Sequence, residues 1–302
     1  MHPKESSTLE MSGFDYQEKD LQQFRTTLLP YAYNIIGAME PARDVVEEVL
    51  VPFILKGDSD IQNPTGYLVR SVINRSISHK NLLRNRQEHY PNYWLPEPVV
   101  TDDAIYSEVD KERILNYSLL VLMEKLTSQE RAVFILKNAF EFSHPDIADT
   151  LEIEAEHSRQ LYKRAKDKIH LKRGKRIQLS GPHEAILNEL MEAMLAADLP
   201  RIKKLLKVKV ESHSDGGPNT SAARKVLQGK DHVSKLLKAI GTKYYLEGTV
   251  QVFTQVNHQP AIAFIENEVI YRVMILEMIE GKISDIFVVL NPEKLTGFVL
   301  RR

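Results

Sequence analysis

Through the first part of the chain, apolar residues recur at three- and four-residue spacing. From about Tyr16 to Ala38, Leu21, Phe24, Leu28, Ala32 and Ile35 make one stripe, which predicts an amphipathic helix ending at Gly37. Pro41 to Leu55 predicts a second helix. Its apolar side carries Ala42, Val45, Val49 and Phe53, and its polar side carries Asp44, Glu47 and Glu48. After a polar turn at Lys56 to Asp60, Asn63 caps a third helix and Pro64 occupies its first position, where a missing N–H costs nothing. Tyr67, Leu68, Val72 and Ile77 point inward in this reading, and Arg70, Asn74, Arg75, Lys80, Arg84 and Arg86 point outward.

The period breaks between His89 and Thr101. Tyr90-Pro91-Asn92-Tyr93-Trp94-Leu95-Pro96-Glu97-Pro98 holds three prolines in nine residues, so it is no helix interior. Its large aromatics argue for an ordered linker rather than a disordered one. Helical pattern resumes near Asp103 and is expected to run to Leu126. Thr127 and Glu130 form a capping box for a helix reaching Phe140. A short helix over Ser143 to Leu151, a turn at Glu152-Ile153-Glu154 and a helix from Ala155 to about Lys172 follow. The last of these buries Leu161, Ala165 and Ile169 and exposes Arg159, Lys163, Lys166 and Lys172. Arg173 to Gly181 is a basic linker.

Beyond Pro182 the character changes. Two helices (His183 to Ala197, Leu199 to Leu206), a strand (Val208 to His213), a loop (Ser214 to Thr220) and a helix (Asp231 to Ile240) lead into alternating segments. These predict four antiparallel strands at Leu246–Val256, Ala261–Glu266, Val269–Ile279 and Ile283–Leu290, with hairpin turns at Asn257–Pro260, Asn267-Glu268 and Glu280–Lys282. The fold class is therefore multidomain. Two all-α domains precede an α+β domain whose curved sheet wraps a helix. The expected divisions are a flexible N-terminus over residues 1–15, helical domains over 16–88 and 105–176, a linker over 89–104 and the α+β domain over 177–302.

Composition narrows the function. With 302 residues and no cysteine, the chain has no disulfide, no thiolate metal site and no cysteine nucleophile, which favours the cytoplasm. No apolar run is long enough to span a bilayer, so no membrane is expected, and the polar stretch Met1 to Ser12 lacks the apolar core of a signal peptide. A net charge of −1 looks wrong for a DNA binder, but the charge is segregated. The acidic side with Asp44, Glu47 and Glu48 and the basic side with Arg70, Arg75, Lys80 and Arg84 suggest one basic and one polyanionic partner. Solvated faces would explain the same pattern.

A short helix, a tight turn and a basic helix make a helix-turn-helix. Arg159, Gln160, Lys163 and Lys166 are long polar side chains on the outer side, suited to base edges and phosphates. Glu152, Glu154 and Glu156 suit a helix N-terminus but oppose phosphate. A curved sheet has room for a pocket, and His213, Asp215, His232 and Tyr271 are the residues able to line it. The simpler reading is a packed sheet in which these are core groups. No metal-ligand spacing, phosphate-binding glycine loop or nucleophile motif occurs, so no metal, no cofactor and no catalysis are expected.

Several stretches carry a resemblance. Ala42-Arg43-Asp44-Val45-Val46-Glu47-Glu48-Val49 and Gly66 to Arg75 resemble region 2 of the sigma-70 family of RNA polymerase sigma factors. Leu126 to Phe134, Ile147-Ala148 and Arg159 to Ala165 resemble region 4. Little precedes region 2 and the link between the regions is short, as in the extracytoplasmic-function type. Trp94-Leu95-Pro96-Glu97-Pro98, Ser214-Asp215-Gly216-Gly217 and Asn291-Pro292-Glu293-Lys294-Leu295 resemble three signatures of a subgroup. Its members carry a SnoaL-like domain of the nuclear-transport-factor-2-like fold after region 4.

The resemblance implies that Asp44, Glu47 and Glu48 dock on core polymerase. Arg70, Asn74 and Arg75 would hold the melted −10 element, and the helix from Ala155 would read the −35 element. It further implies that Trp94 to Pro98, Asp215 to Gly217, Asn291, Pro292 and Lys294 regulate the factor in cis, through a domain that performs no chemistry. The partners are then core RNA polymerase and promoter DNA; a small ligand in the third domain is the further partner if its sheet encloses a pocket rather than a packed core. Pro218 and Asn219 replace the usual third glycine and basic residue. Ser158 stands where an apolar residue is usual, and Ser78 where an aspartate is common. The rival reading is a helix-turn-helix regulator with a ligand-binding or enzymatic C-terminal domain.

Overall fold

A computed structural model describes residues 18–56, 61–87, 90, 93–101, 110–169, 183–223, 225–243 and 249–300. The expected flexible N-terminus, the basic linker from Arg173 to Gly181, Lys172 and the outward Arg86 side chain lie outside the described residues.

Helices α1 (Glu18–Ile36), α2 (Met39–Lys56) and α3 (Pro64–Gln87) pack through Leu28, Ala32, Ile35, Ala42, Val45, Leu50, Leu68 and Val72, all buried. Gly37 stops α1 at φ +83°, a conformation that penalises any side chain. Asn63 caps α3 by accepting a hydrogen bond from the Gly66 N–H at 2.9 Å. Two inward or outward assignments on α3 are reversed. Tyr67 is 48% exposed and lies against Phe53 at the margin of the core. Lys80 is buried, because its ammonium has found a carboxylate and a carbonyl to replace water.

The helix expected from Asp103 to Leu126 is not continuous. A 3₁₀ turn at Lys111–Arg113 is followed by the short α4 (Tyr117–Met123), and residues 102–109 lie outside the described set. The break lets Asn34 on α1 satisfy the freed backbone: its Nδ2 donates to the Arg113 carbonyl and its Oδ1 accepts from the Leu115 N–H. The capping box at Thr127 and Glu130 starts α5 (Ser128–Asn138), and a second box at Ser143 and Asp146 starts α6 (His144–Leu151). Then comes α7 (Ala155–Ile169), with Leu161, Ala165 and Ile169 buried. One apolar cluster runs from α1–α3 into α5 and α7 without interruption.

The C-terminal part is α8 (His183–Leu195), α9 (Leu199–Leu205), β1 (Leu206–Asp215), β2 (Leu227–Gln228), α10 (Lys230–Lys243), β3 (Val250–Val256), β4 (Gln259–Glu266), β5 (Val269–Ile279), β6 (Lys282–Val289) and α11 (Pro292–Leu295). Strands β3 to β6 form the expected antiparallel meander, and the six-stranded order is β2-β1-β6-β5-β4-β3. Two features escaped the alternation pattern. β1 pairs parallel with β6, and it continues through Asp215, so part of the expected Ser214 to Thr220 loop is strand.

Both faces of this sheet are covered. Ile262, Phe264, Met274, Leu276, Ile286 and Val288 meet Leu190, Met194, Val233 and Leu237 of the helices. Ala261, Ala263, Val273, Ile275, Phe287 and Val289 meet Leu95 and Val100 of the linker, Tyr117 and Val121 of α4, and Leu295 and Phe298. The second face thus closes on the connection between the two helical parts.

Candidate functional site

Asp215, at the end of β1, is fully buried, and its carboxylate is the meeting point of all three signature stretches. It accepts hydrogen bonds from the Tyr90 hydroxyl at 2.5 Å, the Leu95 N–H at 2.9 Å, the Gly217 N–H at 3.0 Å and the Lys294 ammonium at 2.6 Å. Lys294 also donates to the Leu95 carbonyl at 2.5 Å and lies 3.3 Å from the centroid of the Trp94 ring. Burial pulls the Lys294 pKa down and Asp215 opposes that pull. The Tyr90 hydroxyl is pushed up, by burial and then by the carboxylate it serves.

Local sequence explains how these groups arrive. Asn291 caps α11, which carries Lys294 back over the linker, and its Nδ2 donates to the Tyr90 hydroxyl at 3.0 Å. Gly217 has φ +66°, and a Cβ there would sit 2.7 Å from the Asn291 side chain. At Gly216 a Cβ would sit 2.3 Å from the Thr220 carbonyl. Neither glycine tolerates a side chain. The loop with Pro218 and Asn219 therefore still closes on Asp215 through the two glycines it retains.

The linker is anchored to α1 as well. The Glu97 N–H donates to the Gly37 carbonyl at 2.8 Å, and its carboxylate accepts from the Met39 N–H at 2.7 Å. Burial raises the Glu97 pKa, and the Met39 N–H partly offsets it. The Tyr33 hydroxyl donates to the Glu97 carbonyl at 2.7 Å and accepts from Asn257 Nδ2 at 2.9 Å. Asn257, in the β3–β4 turn, also reaches the Leu115 carbonyl and the Val99 N–H. One buried amide thus ties together α1, the linker, the start of α4 and the sheet. Pro96 and Pro98 are buried along the same path, and Pro292 is an exposed first residue of α11.

Arg70 on α3 pairs with Glu152 at 3.1 Å and contacts Asp149 at 3.5 Å, while Asn74 Nδ2 donates to the Thr150 carbonyl at 2.9 Å. Both are engaged by the first helix of the helix-turn-helix and the turn after it. Arg75 pairs with Glu48 at 2.6 Å, and Glu47 pairs with Arg25 at 2.6 Å. The acidic and basic faces thus touch at Glu48 and Arg75, whereas Asp44 is exposed. Beneath them Lys80, Glu124 and Arg131 form a buried triad between α3 and α5. Although burial disfavours the Glu124 charge, its two cations together pull the carboxyl down to about 2. For Lys80, burial outweighs one carboxylate and lowers it to about 8.

On α7, Arg159, Gln160, Lys163 and Lys166 are all exposed. Glu156 holds Arg159 at 2.9 Å, and Lys166 lies over the Tyr162 ring. Ser158, at a position expected to be apolar, is fully buried and bonds His144 Nδ1 of α6 at 2.9 Å, so it fixes the angle between the two helices.

The residues expected to line one pocket are not together. His213 and Asp215 lie on the linker side of the sheet, and a bulge at Tyr271 turns that ring to the helix side. His232 is exposed on α10 and turned back to the Gln228 carbonyl.

Residues that sequence reasoning missed are Tyr90, Tyr33, Asn34, Asn257, Glu124 and Arg131. Tyr90 and Arg131 sat inside recognised stretches. No local pattern marks Asn34 or Asn257, since each acts on a segment far away in the chain.

Residues 117–169 match the Sigma-70, region 4 family. The chain is 25% identical to the extracytoplasmic-function RNA polymerase sigma factor SigJ of Mycobacterium tuberculosis, over 93% of this chain and 94% of the relative. It is 27% identical to the probable sigma factor SigI of the same species, over 94% and 97%. The crystal structure of Mycobacterium tuberculosis SigJ superposes with a TM-score of 0.73 at 22% identity, covering 94% of this chain and all of that one.

Proposed function

We propose that this chain, an RNA polymerase sigma factor of the extracytoplasmic-function type with a nuclear-transport-factor-2-like C-terminal domain, is held closed by that domain and opens when it engages core polymerase. The observation that carries the proposal is the Asp215 junction. A carboxylate of the C-terminal domain holds Leu95 and Tyr90 of the segment joining regions 2 and 4.

The division of roles follows from which side chains face outward and which are engaged by another part of the chain. Asp44, with Glu47 and Glu48 beside it, is the surface offered to the polymerase. Arg159 and Gln160 face outward for base edges, and Lys163 and Lys166 for phosphate. Arg70 and Asn74, the residues for the melted −10 strand, are occupied by α6 and Glu152. In the closed chain region 4 thus covers the strand-binding face of region 2. Region 4 must swing away before both promoter elements are contacted together, and the linker path governs that swing.

The C-terminal domain acts as a brace and not as a catalyst. Asp215, fully buried, is committed to four donors, and His232 and Tyr271 lie away from it. Among the described residues no helix is long and apolar enough to cross a membrane, and a factor working on chromosomal promoters acts in the cytoplasm.

The test is in vitro transcription with core polymerase and a randomised promoter library. The full chain, Asp215→Ala and Arg70→Ala/Asn74→Ala are compared. Asp215→Ala changes output without changing the selected sequences, and the double variant binds duplex DNA but fails to open it. A chain that never binds core polymerase would leave only the rival reading, a DNA-binding regulator.

A further inference from the structure

We propose that Glu211, His213 and Asp285 form a binding site for a first-row divalent transition-metal cation on the linker-facing side of the sheet. Residues two apart on a strand share a face, which places Glu211 and His213 together on β1. In the parallel ladder Glu211 stands opposite Asp285, and His213 opposite Phe287. One ligand atom from each of the three residues lies within 4.8 Å of the others.

Hydrogen bonding does not account for the arrangement. His213 Nε2 is 3.5 Å from Glu211 Oε2 and 3.9 Å from Asp285 Oδ1, beyond hydrogen-bond length. Nδ1 of the same ring is buried without a partner. The His213 side chain is only 9% exposed, so a polar ring has been placed in an aromatic setting with neither nitrogen hydrogen-bonded. Facing carboxylates on neighbouring strands repel. Glu277 of β5 stands on the other side of Asp285. Among the described residues no lysine or arginine pairs with Glu211 or Asp285.

A cation at Nε2 gives that nitrogen a partner and offsets the repulsion among the carboxylates. Metal–ligand bonds of about 2.0–2.2 Å at tetrahedral angles put ligand atoms roughly 3.4 Å apart. The two histidine–carboxylate spacings, 3.5 and 3.9 Å, are near that value, and the third pair, within 4.8 Å, closes by rotation of the part-exposed carboxylates. Gln228 on β2 donates to Glu211 Oε1 at 2.9 Å, which leaves Oε2 aimed at His213, the orienting role of a metal site's outer shell. Phe287, stacked at 5.2 Å, and Tyr93, at 4.9 Å, brace the imidazole. Glu211 and Asp285 are 38% and 30% exposed, which gives the ion an entry and water the remaining positions. One imidazole with two carboxylates suits zinc, manganese or cobalt better than magnesium or calcium, which prefer oxygen alone. Glu211 and His213 are separated from Asp285 by most of the C-terminal domain, so no compact ligand spacing marks the site in the sequence.

Tyr93 belongs to the linker and adjoins Trp94, the sole tryptophan of the chain. Fixing the His213 ring fixes the surface on which the linker rests.

The experiment titrates Zn²⁺ into the full chain by calorimetry, follows Trp94 emission in parallel, and repeats the titration with Co²⁺ for its visible absorption. One ion binds per chain, and emission follows the same isotherm. Asp285→Asn and His213→Gln weaken binding at least tenfold, while His232→Gln, at an exposed histidine elsewhere, changes nothing. Asp285→Asn is half-exposed and isosteric, so it keeps the test decisive if His213→Gln misfolds. Absence of saturable binding, or an isotherm unchanged by Asp285→Asn, overturns the site.

Discussion

Replacing Asp215 by alanine removes the acceptor shared by four donors, two of them on the linker. Each hydrogen bond to a charged group contributes about 1.5–3 kcal/mol. The variant also strands Lys294, whose side chain is 8% exposed, with the Leu95 carbonyl and the Trp94 and Tyr90 rings but no carboxylate in contact. Removing one partner of a buried ion pair costs about 3–5 kcal/mol, and since the groups act as one network the losses do not add. Taking about 3–5 kcal/mol as the whole effect, the ratio of closed to open chain falls by roughly 10²–10³·⁵. Small-angle scattering measures the outcome against a radius of gyration of about 19 Å for a compact chain of this length. Trp94 emission supplies a local reading, because the cation leaves its ring. Asp215→Asn, which retains an oxygen for the Leu95 N–H, gives an intermediate response. If Asp215→Ala keeps its circular dichroism, its particle size and its Trp94 emission, the junction does not hold the chain closed.

Asn257→Leu removes three interdomain hydrogen bonds from a fully buried side chain, at about 1 kcal/mol each, and accelerates hydrogen exchange at Val99 and around Leu115, whereas Tyr33→Phe, which removes two, costs about two-thirds as much. Arg159→Ala relaxes discrimination at one base pair of the −35 element by roughly 1–3 kcal/mol, while Lys166→Ala weakens binding to all sequences and flattens its salt dependence; identical behaviour in binding assays would refute the orientation given to α7. Asp44→Lys with Glu48→Lys weakens core polymerase binding in a pull-down titration, and unchanged affinity removes α2 from the docking surface. Glu124 titrates near 2 in the closed chain against an ordinary 4.5, so its stabilising contribution is complete above about 4.5 and is lost as the pH falls toward 2. Acid denaturation followed by scattering is correspondingly less steep in that window for Glu124→Gln.

Much of the fold was legible because it rests on local rules. The Asn63-Pro64 start of α3, the capping box at Thr127 and Glu130 and the β3–β6 meander follow from spacing and turn chemistry within a few residues. The breaks came where a distant partner decided the matter. Lys80 carries no sign of burial, since its carboxylate lies on another part of the chain. The helix expected up to Leu126 gives way where Asn34 offers the backbone different bonds. The parallel pairing of β1 with β6 joins strands that no short-range pattern relates. At the candidate sites, residue types pointed to roles, but Arg70 and Asn74 being occupied by α6 is a property of the assembled chain alone.

The linker-facing side of the sheet, with Ala261, Ala263, Val273, Ile275, Phe287 and Val289, has a consequence for solubility. Soluble monomers seldom leave an apolar surface of that breadth in water. A chain that opened by lifting the sheet from Leu95, Val100, Tyr117 and Val121 would become adhesive at once, toward copies of itself as readily as toward anything else. Opening in isolation is therefore penalised by self-association as well as by lost contacts. The sheet can leave its bed harmlessly only where another protein surface takes its place, which gives the free factor a built-in reason to wait for its partner.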